Sequence, residues 1–346
     1  MKVFRFYAPG DVRLEDAPEP EAGPGEVKIR VRACSMCGTD VKISTAGHIR
    51  IVPPRVMGHE IAGEIVQVGE GVEGWAEGDR VQVIAAIPCG ECEFCRAGAM
   101  TICPNQVSMG YDFEGGFAPY MVVPKVVLDV DGLNRIPENV SFAEASVAEP
   151  FACAINAQEI VDVHEGDDVV VVGSGPIGCL HVRLARARGA RRVVLVELSR
   201  SRLDLAAAVV NPDLAICSSE EDPVEAVKAF FDGKGATVVI TAAASGAAQE
   251  QGLLMLAPQG RISFFGGLPK DKPTITLDSN LVHYRELTIV GANGSSPAHN
   301  KQALAYIADG SVPVDDLITH RLPLEEVARG IDVVRTGVGI KVTVEP

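Results

Sequence analysis

The chain has 346 residues, of which 47% are hydrophobic and 22% are charged, as in ordinary globular proteins. That length exceeds what one typical hydrophobic core supports, so we expect two domains. The formal net charge of −15 argues against nucleic acid and against anionic membrane surfaces as partners.

Neither a membrane span nor a secretory signal is expected from the sequence. No window approaches the roughly 18 uncharged apolar residues of a membrane-spanning helix. The N-terminal segment carries Lys2 and Arg5 and is too short and too charged for a signal peptide. The nine cysteines, an odd number, suit a reducing compartment better than a disulfide framework. We therefore expect a cytoplasmic protein.

Residues 1–148 have the pattern of a β-rich domain. Apolar and charged residues alternate over 27–33, which predicts a half-buried strand. Further strands are predicted at 61–68 and 80–84, with glycine-rich turns between them. The density of short strands and glycines predicts a compact barrel or sandwich.

A thiol, an imidazole and carboxylates occur at positions that suggest a mixed metal site. Cys37 follows the first of these strands, His59 and Glu60 come about twenty residues later, and Glu149 stands where the β pattern ends. Such a mixed donor set, with room for water or substrate, is typical of a catalytic Zn²⁺. Asp40 is the candidate acceptor for the His59 ring N–H. Each residue alone is more often structural, and the combination carries the hypothesis.

The least ambiguous motif is a four-cysteine lobe at residues 88–104. Its thiols follow the spacing C-x2-C-x2-C-x7-C, with ligands Cys89, Cys92, Cys95 and Cys103. One short loop can wrap a tetrahedral ion in this way, and four thiolates leave no open coordination position. The spacing therefore predicts a structural zinc. Iron–sulfur ligation also uses four thiolates, so that alternative stays open.

From about residue 150 the pattern changes to alternating strands and helices. Continuous apolar runs, typical of buried parallel strands, occupy 168–172, 193–197, 238–241 and 260–266. Helical patterns occupy 151–163, 179–188 and 203–209. This alternation predicts a doubly wound parallel sheet. The C-terminal segment no longer shows this alternation of strands and helices, and it ends in a predicted strand at 340–344.

A G-x-G-x-x-G motif lies between a valine-rich strand and a helix, the context that makes it a dinucleotide site. Its residues are Gly173, Gly175, Pro176, Ile177 and Gly178. The first glycine allows a tight turn, the second lets the backbone approach a pyrophosphate, and the third allows close helix–strand packing. The helix N-terminus then offers free N–H groups to the phosphates.

The next strand ends in Glu197, where a carboxylate would accept hydrogen bonds from the adenosine ribose hydroxyls. A carboxylate there repels a 2′-phosphate, so NAD is favoured over NADP. Arg200 and Arg202 stand close by and would soften that preference; Arg202 is the candidate cofactor contact.

These motifs together resemble the zinc-containing medium-chain dehydrogenase/reductase superfamily. The resemblance rests on residues 37–40, on residues 58–60, on the four-cysteine lobe and on the glycine-rich loop, which occur in the family's order along essentially the whole chain. It implies a GroES-like catalytic domain formed by residues 1–150 and 288–346. A Rossmann NAD-binding domain, residues 151–287, is inserted between them, and the active site lies in the cleft. The superfamily's edge strand near residues 260–267 also implies a homodimer or homotetramer.

Within the superfamily, Glu149-Pro150 resembles the sorbitol (polyol, iditol 2-dehydrogenase-like) and threonine dehydrogenase branches, because typical alcohol dehydrogenases have a cysteine there. The implied ligands of the catalytic zinc are Cys37, His59 and either Glu149 or Glu60. The implied cofactors are two Zn²⁺ per subunit, one catalytic and one structural, and NAD.

The segment after the first ligand departs from the polyol branch. Sorbitol dehydrogenases continue with Val-His-Tyr, whereas this chain has Val41-Lys42-Ile43, so sorbitol itself is doubtful. Lys42 takes the position of a proton-relay histidine in alcohol dehydrogenases; it relays a proton, binds an anionic group or is a solvated surface lysine. By the same resemblance, the Thr39 hydroxyl takes the proton of the alcohol.

The resemblance implies a zinc-dependent oxidoreductase that transfers a hydride between a secondary alcohol and NAD. The expected substrate is a small alcohol or ketone from the polyols, cyclitols or sugar-alcohol phosphates. A threonine 3-dehydrogenase-like or general secondary alcohol dehydrogenase uses the same ligands and remains an alternative. A non-catalytic nucleotide-sensing relative is a third, which the intact set of metal ligands argues against.

Overall fold

Two structural units account for the change of pattern near residue 150. The structure, a computed structural model, describes residues 1–346. The first unit comprises Met1–Ala152 with Gly294–Pro346, and the second comprises Cys153–Asn293.

The first unit begins with ten short strands. They are β1 (Lys2–Ala8), β2 (Asp11–Asp16), β3 (Val27–Ser35), β4 (Arg55–Val56), β5 (Glu60–Val68), β6 (Arg80–Val83), β7 (Ala86–Ile87), β8 (Val107–Ser108), β9 (Tyr120–Val123) and β10 (Leu133–Arg135). Its helices in this stretch are α1 (Gly38–Ala46), α2 (Glu93–Arg96), α3 (Lys125–Asp129) and the start of α4 (Phe142–Ile160).

The second unit alternates strands and helices. These elements are β11 (Asp168–Val172), α5 (Pro176–Ala187), β12 (Arg192–Glu197), α6 (Arg200–Val210), β13 (Leu214–Cys217), α7 (Pro223–Phe230), β14 (Ala236–Thr241), α8 (Gly246–Met255), β15 (Leu256–Phe264), α9 (Ser279–Arg285) and β16 (Thr288–Gly291). The chain then returns to the first unit with α10 (Pro297–Ala308), β17 (Ile318–Leu322), α11 (Val327–Thr336) and β18 (Lys341–Val344).

Strand β3 is the centre of the first unit. It pairs antiparallel with β5, β9 and β18 in a sheet of order β10-β6-β5-β3-β18-β17, while β2-β1-β4 form a smaller sheet. The strands bury one hydrophobic core, in which Ile29, Ile61 and Val344 are fully buried. The last strand of the chain therefore lies directly beside the strand that leads to Cys37.

The second unit contains a six-stranded sheet of order β13-β12-β11-β14-β15-β16, in which all pairs are parallel. Its strand β11 is buried along its whole length, as its continuous valine run predicts. The strand order reverses direction beside β11, which is the topology of a doubly wound fold. The prediction of a doubly wound parallel sheet is confirmed. No helix of the protein is both long and apolar enough to cross a membrane.

Several expected boundaries differ from the structure. Helix α4 begins at Phe142 rather than at 151, because Ser141 and Glu144 form a capping box before it: Ser141 N donates to Glu144 Oε2 at 2.8 Å and Glu144 N donates to Ser141 Oγ at 3.2 Å. Glu149-Pro150 is therefore inside a helix. The return to the first unit falls at Gly294 rather than at 288, because β16 pairs with β15 in the parallel sheet. The edge of that sheet is β16, and the strand that ends at Phe264 is interior.

Candidate active site

Cys37 and His59 are brought together by the register of two neighbouring strands. Strands β3 and β5 pair so that Ser35 lies opposite Glu60, and the two candidate ligands continue from those positions. Cys37 precedes α1, and its backbone N–H donates to Asp40 Oδ2 at 2.9 Å. The turn into α1 is thus fixed by the carboxylate that also approaches the histidine.

The ligand atoms of Cys37, His59 and Glu60 all lie within 4.8 Å of one another. The Nδ1 atom of His59 lies 3.6 Å from Oδ1 of Asp40, so the carboxylate stands beside one ring nitrogen and leaves the other for a metal ion. Burial opposes charging of the imidazole, yet Asp40 and Cys37 raise the pKa of His59 well above its ordinary value. The site therefore has an excess of negative charge.

Glu60 is already paired with a cation from the other end of the chain. Its Oε2 forms an ion pair with Nζ of Lys341, and both side chains are fully buried. The Lys341 ammonium also donates to the carbonyl oxygen of Met36 at 2.9 Å, next to Cys37. Burial opposes charging of the lysine, but the carboxylate of Glu60 raises the pKa of Lys341. Lys341 thus neutralises Glu60 and holds the segment before Cys37.

Glu149 lies nearby but outside the set of ligand atoms that fall within 4.8 Å. It is 8% exposed, and the fully buried carboxylate oxygens without a hydrogen-bond partner at this site belong to Glu60 and Asp40. Burial raises the pKa of Glu149 to about 7, and the charges of His59, Glu60 and Lys341 also act on it. A buried carboxylate without a partner is costly, and a bound cation would remove that cost. This donor set fits a Zn²⁺ ion with an open position.

The four cysteines of the lobe converge on one point. Their Sγ atoms all lie within 4.8 Å of one another, and the separations Cys89–Cys95, Cys92–Cys95 and Cys92–Cys103 are 4.0, 3.5 and 3.9 Å. Sulfurs bonded at 2.3 Å to a tetrahedral zinc are separated by about 3.8 Å. All nine cysteines of the chain are free thiols. The arrangement fits one tetrahedral ion held by thiolates.

The glycine-rich loop makes the close approach that its spacing predicts. A Cβ atom on Gly178 would lie 1.8 Å from the carbonyl oxygen of Gly173, so only glycine lets α5 pack on the end of β11. Gly173 has φ +108°, a conformation that other residues rarely adopt. Gly175 precedes α5, and Pro176 and Ile177 are the first two residues of the helix. The free N–H groups at this helix N-terminus suit a pyrophosphate.

Glu197 ends β12 and is held beside this loop. Its Oε2 accepts hydrogen bonds from the backbone N–H and the hydroxyl of Ser174, and its Oε1 accepts from the backbone of Leu198 and Ser199. Burial opposes ionisation, but these donors lower the pKa of Glu197, so it is a carboxylate at neutral pH. A cavity of about 430 Å³ opens beside it. An Nη atom of Arg202 lies 3.4 Å from the position of a Cβ on Gly175, and the charge of this guanidinium helps to lower the pKa of Glu197.

Two family models match consecutive parts of the chain. The alcohol dehydrogenase GroES-like domain matches residues 23–130, and the zinc-binding dehydrogenase domain matches residues 176–309. The chain belongs to the zinc-binding alcohol dehydrogenase family. The sequence-based assignment to the zinc-containing medium-chain superfamily is confirmed, and the protein is an oxidoreductase acting on CH–OH donors.

Similar proteins cover almost the whole of this dehydrogenase. Sorbitol dehydrogenase of Halalkalibacterium halodurans is 32% identical over 342 residues, which are 98% of this chain and 97% of the relative. L-threonine 3-dehydrogenase of Pyrococcus horikoshii is 36% identical over 313 residues, which are 89% and 87% of the two chains. A zinc-binding dehydrogenase of Sinorhizobium meliloti 1021, solved with NADP, has a TM-score of 0.91 at 29% identity and covers 100% of this chain and 99% of its own.

Two residues beside the dehydrogenase's candidate metal site were not expected from the sequence. Lys341 carries a signal that was available: a lysine within the apolar run of a terminal strand is unusual, because buried lysines need a partner. Tyr111, in the loop after β8, is also close, with its ring centroid 6.2 Å from that of His59. No motif or spacing in the sequence identifies Tyr111.

Proposed function

We propose that the protein oxidises a secondary alcohol of a polyol, cyclitol or sugar-alcohol phosphate, with transfer of a hydride to NAD. The observation that carries this proposal is the convergence of Cys37, His59 and Glu60, with the largely buried carboxylate of Glu149 beside them. In a purely structural cluster the buried charges would balance one another, whereas this cluster has more anionic metal-donor groups than cations. That is the donor chemistry of a catalytic zinc site.

We assign Cys37, His59 and Glu149 as the resident zinc ligands. Glu60 is nearer to the first two, but Lys341 already balances its charge. Glu149 has no such partner, so it gains more from a bound cation. Glu60 and Lys341 then form a supporting ion pair next to the ligands, and Asp40 fixes the orientation of the His59 ring.

The remaining roles concern the proton of the alcohol. Bound zinc would supply Lewis acidity that lowers the pKa of the substrate hydroxyl, and the nicotinamide would supply the hydride chemistry. Thr39 and Lys42 lie in the first turns of α1, three residues apart and on one helix face. Thr39 is half-buried and Lys42 is exposed. The Thr39 hydroxyl accepts the proton of the alcohol as it releases its own, and that proton leaves to solvent on the side of exposed Lys42.

The second unit binds the cofactor, and we propose NAD rather than NADP. The residues assigned to this role are those of the glycine-rich loop, together with Glu197 and Arg202. The ionised carboxylate of Glu197 would repel a 2′-phosphate. The similar dehydrogenase of Sinorhizobium meliloti was solved with NADP, so the preference is a property to measure for this chain.

The four-cysteine lobe would hold a second, structural zinc through Cys89, Cys92, Cys95 and Cys103. We further propose a cytoplasmic homodimer or homotetramer. The free thiols support a reducing compartment. The exposed edge strand β16 supports assembly, because an unpaired strand edge is a template for a second copy.

A substrate screen tests the proposed function. Formation of NADH is measured with polyols, cyclitols, phosphorylated alditols and L-threonine, and each is repeated with NADP. Turnover of a polyhydroxy compound with NAD is expected. A response to threonine alone would favour the second candidate, a threonine 3-dehydrogenase, which the 36% identity to that relative supports. No turnover of any alcohol by protein that contains two zincs would contradict the proposal.

The ligand assignment is tested by two matched substitutions. Glu149→Gln and Glu60→Gln each remove one buried carboxylate beside the same pair of ligands. We expect Glu149→Gln to weaken zinc binding by at least tenfold, about 1.4 kcal/mol, and Glu60→Gln to weaken it much less. Zinc content after dialysis against a graded chelator measures the difference. Equal losses, or a larger loss in Glu60→Gln, would reverse the assignment.

A further inference from the structure

The loop after β8 places the side chain of Tyr111 against the candidate zinc site. Its ring meets that of His59 edge to face, at 6.2 Å between centroids and 66° between planes. On another side it contacts the ring of His48, at 4.8 Å and 87°. Three aromatic rings thus form a row, with the middle one half-buried beside a proposed metal ligand.

Tyr111 is half-buried, and its hydroxyl forms no hydrogen bond with another group of the protein, so it is available to a ligand or to water. The pKa of Tyr111 is raised to about 12, chiefly by burial; the charges of Asp40, Cys37 and Glu149 act in the same direction, and that of His59 acts against it. The phenol oxygen therefore lies within the field of the metal site, and it is a neutral hydrogen-bond donor at physiological pH.

The charges around the site indicate which chemical group would meet this donor. Cys37, Asp40, Glu60 and Glu149 are anionic when zinc is bound, against one charge from Lys341 and two from the metal. That balance is unfavourable for a phosphate or carboxylate at the same place. The guanidinium of Arg50 lies over the Tyr111 ring, but it is paired with Asp112 and so does not change this balance of charge. A neutral hydroxyl is the group that fits.

We propose that Tyr111 is a specificity-determining residue that hydrogen-bonds a second hydroxyl of the substrate, on the carbon next to the one oxidised. This inference rests on the proposed function and narrows it to uncharged vicinal diols and polyols. An isolated secondary alcohol has no second hydroxyl to offer the phenol, so it lacks this hydrogen bond and the enzyme discriminates against it.

The test compares 2,3-butanediol with 2-butanol, which share one carbon skeleton, in the wild type, in Tyr111→Phe and in Tyr120→Phe. The control removes a tyrosine hydroxyl of the same unit that lies within 3.3 Å of Arg30. We expect Tyr111→Phe to lower kcat/KM for the diol about tenfold, as for one hydrogen bond, and to leave 2-butanol unchanged. The control should change neither, and zinc content and the Kd for NADH should match the wild type.

Binding to cobalt-substituted protein separates this inference from the proposed function. The Kd for each alcohol is read from the visible absorption of the metal, without turnover. Tighter binding of the diol than of 2-butanol, lost in Tyr111→Phe, supports the role of Tyr111 even if no NAD is reduced. Equal Kd values for the two alcohols in the wild type, or equal losses for both in Tyr111→Phe, would overturn it.

Discussion

His181, on the helix that begins at the glycine-rich loop, gives the folded protein a calculable sensitivity to acid. Its side chain is fully buried, and burial lowers its pKa to about 3, with a smaller contribution from Arg188. Nε2 of Gln158 lies 3.3 Å from Nδ1 of His181, whereas Nε2 of His181 has no hydrogen-bond partner. The imidazole ring contacts the ring of Phe265 edge to face. The imidazole has no place for a second proton.

The sign and size of the effect follow from proton linkage. The unfolded chain binds a proton at this histidine below about pH 6.5, whereas the folded protein does so only below about pH 3. The contribution of neutral His181 to the unfolding free energy is therefore lost as the pH falls through this window. Above the window that contribution is fully present. At pH 5 the difference is about 1.5 pH units, or about 2 kcal/mol at 1.36 kcal/mol per unit.

The substitution His181→Asn removes the titrating group and should remove this slope. Amide hydrogen exchange of the peptide that contains α5 is measured at pH 7.5 and pH 5, with correction for intrinsic exchange rates. We expect the wild type to lose about 2 kcal/mol more protection than the variant between these values. The comparison of slopes cancels zinc loss and other titrations that both proteins share.

A second measurement addresses the histidine directly. The seven histidines are labelled with ¹³C, and the resonance of His181 is assigned by its absence from the variant. It should not titrate between pH 8 and pH 4.5. A His181 pKa near 6.5, or equal acid sensitivity of the wild type and His181→Asn, would refute the reasoning.

Three further predictions follow from contacts elsewhere in the chain. Lys341→Met should destabilise the protein by about 3–5 kcal/mol, because it leaves Glu60 as an unpaired buried charge. In thermal unfolding, the double variant Lys341→Met with Glu60→Gln should recover part of this stability. No recovery in the double variant would contradict the pairing of Glu60 with Lys341. Cys92→Ser should reduce the zinc content from two ions to one, measured by mass spectrometry of the metal, whereas Cys217→Ser should retain both. Glu197→Gln should shift the ratio of the NAD and NADP dissociation constants about tenfold towards NADP, by fluorescence titration; an unchanged ratio would exclude charge repulsion as its cause.

The sequence predicts well those parts of the fold that depend on residues close together along the chain. The four thiols lie within 15 positions of one another, and the loop between Gly173 and Gly178 follows one strand directly. Local chemistry decides both, so the family and the doubly wound sheet could be inferred. The start of α4 is predictable in principle from Ser141 and Glu144, whereas the apolar helical pattern used for the prediction begins only after Pro150, which lies inside the helix.

The parts that the sequence did not predict depend on residues far apart along the chain. The ion pair of Glu60 and Lys341 requires β18 to lie beside β3, which no local pattern specifies. Tyr111 lies close to His59 only because of the path of the loop after β8, which no sequence pattern specifies. The choice between Glu60 and Glu149 was open for the same reason, because it turns on which carboxylate the lysine reaches.

The pairing of β18 with β3 also orders events during biosynthesis. The ribosome must translate all of residues 153–293 before Lys341 emerges, because the second unit is inserted ahead of it. Until then, Glu60 lacks its counter-ion and the segment before Cys37 lacks the ammonium that binds the Met36 carbonyl. The four-cysteine lobe has no such dependence, since its thiols are made together. The lobe can therefore reach its final arrangement during synthesis, whereas the candidate active site gains its full charge balance only after β18 has been made.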